Sequence, residues 1–316
     1  MRATWKGPMA LCTLIGLIFL PVAGALPSVS ASTKTTSGFP VTMKLADGTF
    51  TFTTRPTAIV SLSPTATEML YAIGAGPQVK AVDSYSDYPK GAPVTKLSGY
   101  TPNVEAIAKY RPDLVVVSSD TTGFNTQMAA LKIPVIYDPA AANLKQAYAQ
   151  YPLLGEATGN VKGAKSEVAA IKAKIAEILS TTPQAPKGTT YYYELEPDYY
   201  SVQSSTFVGQ LFSLLGLKSI ADAATGTAAN GGYPQLNAEF ILKANPTYIF
   251  LADTICCQAS ARTVAARPGW SALSAVKKHR VIGLNDDIAS RWGPRITILL
   301  QKIANAIKSQ KVSTSS

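Results

Sequence analysis

One histidine and three cysteines in 316 residues leave little from which to assemble a nucleophilic or metal-dependent active site. The histidine, His279, sits in the basic turn Lys277-Lys278-His279-Arg280, where solvation is expected, and no Cys-x-x-Cys spacing occurs, so a metal site is disfavoured. The Gly-x-Ser-x-Gly elbow is absent, and so is a phosphate-binding loop. Gly74 and Gly76 follow a helix rather than joining a strand to one, which removes the nucleotide-binding interpretation. Charge is scarce as well: 15% of residues are charged against 47% hydrophobic, which argues against disorder and supplies a sizeable core. The net charge of +10 comes from scattered lysines, with no basic block interleaved with aromatics, and this points away from nucleic acid. Asp286-Asp287 is a carboxylate pair, but nothing nearby identifies the burial that a general acid needs. A binding protein is expected, not an enzyme.

The N-terminus carries an export pattern. Arg2 and Lys6 precede an apolar run at 9–26, and Val29-Ser30-Ala31 fits a small-residue cleavage site, so a signal peptide of residues 1–31 cut after Ala31 is expected. A cut after Ala23-Gly24-Ala25 also fits, and the run reaches the lower limit for a membrane span, which leaves an uncleaved anchor as the alternative. Cys12 lies inside the run with Leu11 directly before it, so no lipid anchor is expected. Cleavage removes Arg2 and Lys6 and no acid, lowering the formal charge from +10 to +8. The remaining cysteines, Cys256 and Cys257, are neighbours, with Cα atoms about 3.8 Å apart. In an exported chain they form either a strained disulfide or two buried thiols.

What the chain does contain is one passage written twice. Asn103-Val104-Glu105 is followed by Pro112-Asp113-Leu114, and Asn237-Ala238-Glu239 by Pro246-Thr247-Tyr248, at the same spacing. Each reads as an Asn N-cap, a short helix with Glu in its first turn, a Pro, and an apolar strand. Strand and helix patterns alternate around both copies, which predicts an α/β fold of two Rossmann-like lobes with central parallel-rich sheets. Between them Val161, Ala164, Val168, Ile171, Ile175 and Ile178 recur at three- and four-residue steps, the mark of one long amphipathic helix. The expected organisation is a leader and Asp47-Gly48 hairpin at 32–54, lobes at 55–157 and 187–311, the joining helix at 158–182, and a disordered tail at 312–316. The strand exits collect Tyr85, Tyr88, Tyr100, Tyr199, Tyr200, Tyr233 and Trp292 with Asp287 and Arg291, a setting suited to a large, flat, partly apolar ligand.

Arg55-Pro56, the run from Ile59-Val60-Ser61 to Ala66-Thr67-Glu68, the Tyr85-Ser86-Asp87-Tyr88-Pro89 loop, Asn103-Val104-Glu105, Pro112-Asp113-Leu114 and the 287–295 exit resemble the iron-chelate and cobalamin-binding proteins of ABC importers. The likeness runs from about residue 55 onward and is strongest to the cobalamin-binding members. It implies a class III periplasmic-binding-protein architecture, an interlobe cleft with little closure on binding, no cofactor of its own, and delivery of ligand to a permease and ATPase. By the same resemblance Tyr85 matches a tyrosine that contacts the corrin, and Asp287 and Arg291 match an acid and a base at the ligand's polar edge. Tyr233 stands where the family has a Trp, Tyr200 near a Phe and Tyr100 near another Trp, while Ser118 and Ser119 fall where a further ligand-contacting Trp would be. Cobalamin or another corrinoid is the implied ligand, with an iron siderophore or haem as the alternative. Glu105 and Glu239 match two carboxylates that dock on the permease dimer; on residue chemistry alone, helix-dipole complementarity accounts for both. A monomer is expected. The alternative from another class is an exported adhesive or interaction protein.

Overall fold

The computed structural model describes residues 38–45, 48–120 and 123–312. The expected signal peptide with Cys12 and Ala31, the leader at 32–37, Asp47 of the hairpin turn and residues 313–316 of the tail lie outside them. Strands β1 (Val41–Leu45) and β2 (Gly48–Phe52) pair antiparallel with Leu45 opposite Gly48, the hairpin expected from the sequence.

The N-terminal lobe runs β3 (Ile59–Leu62), α1 (Pro64–Ala72), β4 (Val79–Val82), α2 (Val104–Ala108), β5 (Leu114–Val117), α3 (Phe124–Ala130) and β6 (Val135–Tyr137). Its strands form a parallel sheet in the order β4-β3-β5-β6. Ser63 caps α1 through its hydroxyl, which accepts from the Ala66 amide, and Pro64 occupies the first turn. Helices α4 (Leu144–Thr158) and α5 (Val161–Thr181) follow. The C-terminal lobe then adds β7 (Thr190–Glu194), α6 (Phe207–Ser213), β8 (Lys218–Ser219), α7 (Ala238–Ala244), β9 (Tyr248–Leu251), α8 (Ala261–Ala265), α9 (Ser274–Lys277), β10 (Val281–Gly283), α10 (Asp286–Ser290) and α11 (Ile296–Val312). Its parallel sheet, β8-β7-β9-β10, has the same second-first-third-fourth strand order as the first.

The duplication holds at the level of register and layer. Ile59 pairs with Leu114 in one lobe and Tyr191 with Tyr248 in the other. Leu114 and Val116 face the core shared by both lobes while Val115 and Val117 face an outer layer; Tyr248 and Phe250, then Ile249 and Leu251, divide the same way. Asn103 Oδ1 accepts the Ala106 amide and Asn237 Oδ1 the Phe240 amide, each at 2.8 Å. Both segments turn through a left-handed residue immediately before the proline, Arg111 (φ 48°) and Asn245 (φ 43°).

Helix α5 is the expected joining helix, with two corrections. It begins at Val161, after Gly159 has ended α4 in the left-handed conformation (φ 69°), rather than at 158. Val161 itself is exposed, so the buried stripe is Ala164, Ile171, Ile175 and Ile178 with Val168 half-buried. The helix packs against α1 and α4 on one side and α11 on the other. A side chain at Gly163 would meet the Ile73 carbonyl oxygen 2.0 Å away, so the close approach of α5 to the end of α1 needs glycine. One continuous core therefore includes β3, α1, α4, α5, β7, β9 and α11.

Helix α4 was not expected. Pro152 removes a backbone donor from its interior and hides the pattern of Ala147, Tyr151, Leu154 and Thr158, which are all buried. A 3-10 turn (Trp270–Ala272) precedes α9, and α11 continues to Val312, one residue into the expected tail. Among the described residues no helix is long and apolar enough to cross a membrane.

Candidate functional site

Carboxyl ends of parallel strands are where loops diverge and leave space for a ligand. In the N-terminal lobe the exits of β3, β4 and β5 enclose a cavity of about 190 Å³ lined by Leu62, Asp83, Tyr85, Tyr100, Ser118 and Ser119. Asp83 shapes its wall. Its buried carboxylate accepts from the Tyr85 amide (2.7 Å) and the Ser86 hydroxyl (3.0 Å), turning the chain so that Tyr85 projects outward. Burial raises the Asp83 pKa, and these hydrogen bonds oppose the shift. Gly99 lets the neighbouring loop lie against the end of β3, since a Cβ there would come within 2.4 Å of the Leu62 carbonyl oxygen. The Tyr85 and Tyr100 rings meet edge to face, centroids 6.0 Å apart, and are 62% and 77% exposed, so two aromatic surfaces stand open to a ligand.

Arg291, at the C-terminal lobe's last strand exit, reaches this wall. Its guanidinium donates to the Tyr85 carbonyl (3.0 Å), to Asp287 Oδ1 (2.6 Å) and to Glu68 Oε1 (3.0 Å). Tyr85, Tyr100, Asp287 and Arg291 thus form one cluster across the seam between the lobes. Burial raises the Asp287 pKa, with the Arg291 charge pulling against it.

Tyr200 and Tyr233 sit on adjoining loops of the C-terminal lobe, tied by a bridge between Tyr200 and Gln235 and by the Ser201 amide on the Pro234 carbonyl (3.0 Å). Tyr200 is half-buried; Tyr233 is exposed, with its hydroxyl pKa raised by partial burial. Tyr199, expected among the exit aromatics, instead stacks on Trp270 inside the lobe. Trp292 is turned into the seam, where its indole N–H donates to Gln150 Oε1 (2.8 Å).

Cys256 and Cys257 are unbonded, as in the thiol alternative, but both are exposed rather than buried. Their loop is pinned from the side by Asp286, which accepts the Ile255 and Cys256 amides (3.0 and 2.8 Å). Burial pushes the Asp286 pKa up, but these hydrogen bonds outweigh it and hold it below the usual carboxylate range. Contact with Cys257, then burial and Asp286, push the Cys256 thiol up to about 12, so it stays protonated at neutral pH. His279 is exposed. Among the described residues no group of three or more His, Cys, Asp or Glu is placed to hold a metal ion.

Glu105 and Glu239 are both exposed in the first turns of α2 and α7. The residues sequence reasoning missed are Glu68, Arg295 and Gln150, which join elements more than a hundred residues apart. No local signal marks such pairings.

The family model described as "Periplasmic binding protein" matches residues 59–288. An ABC transporter substrate-binding lipoprotein of Bacillus subtilis, YvrC, is 30% identical over 288 residues, 88% of each chain. A protein of Halobacterium salinarum named cobalamin-binding protein is 28% identical over 297 residues, 90% of this chain and 79% of its own. Among solved structures, a possible iron-binding (periplasmic solute-binding) protein of Staphylococcus epidermidis superposes with a TM-score of 0.67 at 26% identity, covering 79% of this chain and 98% of that one.

Proposed function

Since this chain belongs to the periplasmic-binding-protein family of ABC transporter substrate-binding proteins, we propose that it captures a corrinoid, cobalamin or a close relative, in the cleft between its lobes and delivers it to an importer. The observation that carries this reading is the pair of open aromatic rings, Tyr85 and Tyr100, beside the polar Asp287–Arg291 pair at the strand exits. A flat macrocycle with an amide fringe needs such surfaces: aromatic faces for the ring, and a carboxylate and guanidinium for its donors and acceptors. Tyr200 and Tyr233 supply the facing wall. The name of the halobacterial relative supports the ligand class.

The iron-binding description of the staphylococcal structure favours a second reading, a ferric siderophore or haem in the same cleft. In either case the protein acts as a monomer, is exported, turns nothing over, and brings no cofactor of its own. Glu105 and Glu239, one exposed carboxylate on each lobe, dock on basic residues of the permease dimer. Native mass spectrometry of the protein isolated from its own envelope fraction tests the assignment. A single chain carrying a corrinoid mass is expected; an iron-chelate mass transfers the assignment to the second reading, and an organic ligand without metal overturns both.

A further inference from the structure

Glu68 lies in α1, and its carboxylate is wholly buried. A buried charge is tolerated when it is paired and hydrogen-bonded. Both of its partners come from the other lobe. Arg291 Nη1 donates to Oε1 at 3.0 Å, while Arg295 donates from Nε to Oε2 at 2.9 Å and from Nη2 to Oε1 at 2.6 Å.

The same two arginines hold the loop that forms the aromatic wall. Arg291 also donates to the Tyr85 carbonyl, and the Arg295 guanidinium lies 4.1 Å from the centre of the Tyr88 ring. Within its own lobe the base of that loop is tied by Tyr85 and Ser86 to Asp83, by the Ser84 amide to the Leu97 carbonyl and by the Thr67 hydroxyl donating to Ser86 Oγ (3.2 Å), and the Tyr85 ring meets Tyr100. Its outer turn is therefore braced from across the seam, and the brace converges on one carboxylate. Nearby, the Trp292–Gln150 bond and a Gln210 amide donating to the Ala142 carbonyl (2.9 Å) fasten the same two lobes.

We propose that Glu68 is a positioning residue for ligand capture: by fixing Arg291 and Arg295 it holds the Tyr85–Tyr88 loop in its binding geometry before any ligand arrives. Glu68 touches no ligand itself. Preorganisation of this kind removes an ordering cost from binding. The inference rests on the cleft being the ligand site, but its test is made on the ligand-free protein, so it fails separately from the corrinoid assignment.

Hydrogen exchange with peptide-level readout over residues 84–88 tests it, using Glu68→Gln, Glu68→Asp and a control. The control is Glu194→Gln, which breaks another buried ion pair, Glu194 with Arg267 at 2.6 Å, lying within the C-terminal lobe. Glu68→Gln should speed exchange in 84–88 at least tenfold, Glu68→Asp by an intermediate factor, and Glu194→Gln not at all, while α5 keeps wild-type protection in all three. Wild-type rates in 84–88 for a folded Glu68→Gln, or equal acceleration by Glu194→Gln, would overturn the proposal. Should Glu68→Gln not fold, Arg295→Lys carries the same test: it keeps the charge, loses the planar fork over Tyr88, and must also accelerate 84–88.

Discussion

Reversing both Glu105 and Glu239 to arginine should lower transport by the reconstituted importer at least tenfold, with ligand affinity and melting temperature close to wild type. Both carboxylates are exposed, and among the described residues neither forms an ion pair, so reversal breaks no ion pair within the fold. A surface ion pair contributes about 0 to 1 kcal/mol, and replacing attraction by repulsion roughly doubles the change at each site. At about 0.5 kcal/mol per pair, two sites together then exceed the 1.4 kcal/mol that corresponds to a factor of ten. Each single reversal should cost a few-fold, and the defect should shrink as salt rises, because exposed charges are screened over about 8 Å at physiological ionic strength. The competing explanation is lost helix-dipole complementarity, about 0.3 to 1 kcal/mol per site. Glu→Gln variants isolate it, since they lose the dipole interaction without presenting a positive charge. Normal transport by the double reversal at physiological salt would reduce both glutamates to capping chemistry inherited by two related lobes.

Asp138→Asn should stabilise the protein at pH 8 by up to about 4 kcal/mol and leave it unchanged near pH 3.5. Asp138 directly follows β6, the edge strand of the N-terminal lobe, its amide donating to the Val117 carbonyl (2.8 Å), and its side chain is fully buried with neither carboxyl oxygen hydrogen-bonded. The nearby Tyr151 hydroxyl is unpartnered as well, and its pKa is raised first by burial and then by surrounding negative charge, Asp138 included. Burial raises the Asp138 pKa from 3.8 to about 7. The folded state therefore holds a proton that the unfolded chain releases, and stability present below about pH 4 is lost as pH rises to about 7. A shift of this size corresponds to about 1.4 kcal/mol per pH unit across the window. Asparagine keeps the shape and removes the titration. Urea unfolding at several pH values checks this: a difference that grows from pH 4 to pH 7 is expected, and a variant less stable than wild type at pH 8 would show that the carboxylate has a compensating partner. Asp253, buried beyond β9 with a pKa raised to about 6, should behave the same way over a narrower window.

The sequence made the architecture legible because its strongest signals are local and occur twice. An Asn cap, a glutamate in the first turn, a proline and a strand can be recognised within fifteen residues, and the second copy converts a common pattern into a statement about two lobes. The stripe on α5 is legible for the same reason. Helix α4 was hidden by Pro152, whose lost donor tertiary packing of Tyr151 and Leu154 offsets. The site was legible in its residue types, aromatics with one acid and one base, but not in its wiring. Tyr199 and Trp292 look like ligand aromatics in sequence and turn out to pack on Trp270 and bond to Gln150. Glu68 reads as an ordinary helix residue until the fold brings Arg291 and Arg295 to it from more than two hundred positions away.

Isothermal titration calorimetry with cobalamin, cobinamide, haem and a ferric siderophore measures the central claim, that the interlobe cleft holds a corrinoid against its aromatic wall. The expected result is saturable one-to-one binding of cobalamin or cobinamide, tighter than that of either iron ligand. Tyr85→Ala should weaken it at least tenfold, because a desolvated aromatic platform carries more binding energy than a rim charge, whereas Glu105→Arg should change it less than twofold. No heat with either corrinoid, or corrinoid affinity unaltered by Tyr85→Ala, would contradict the account.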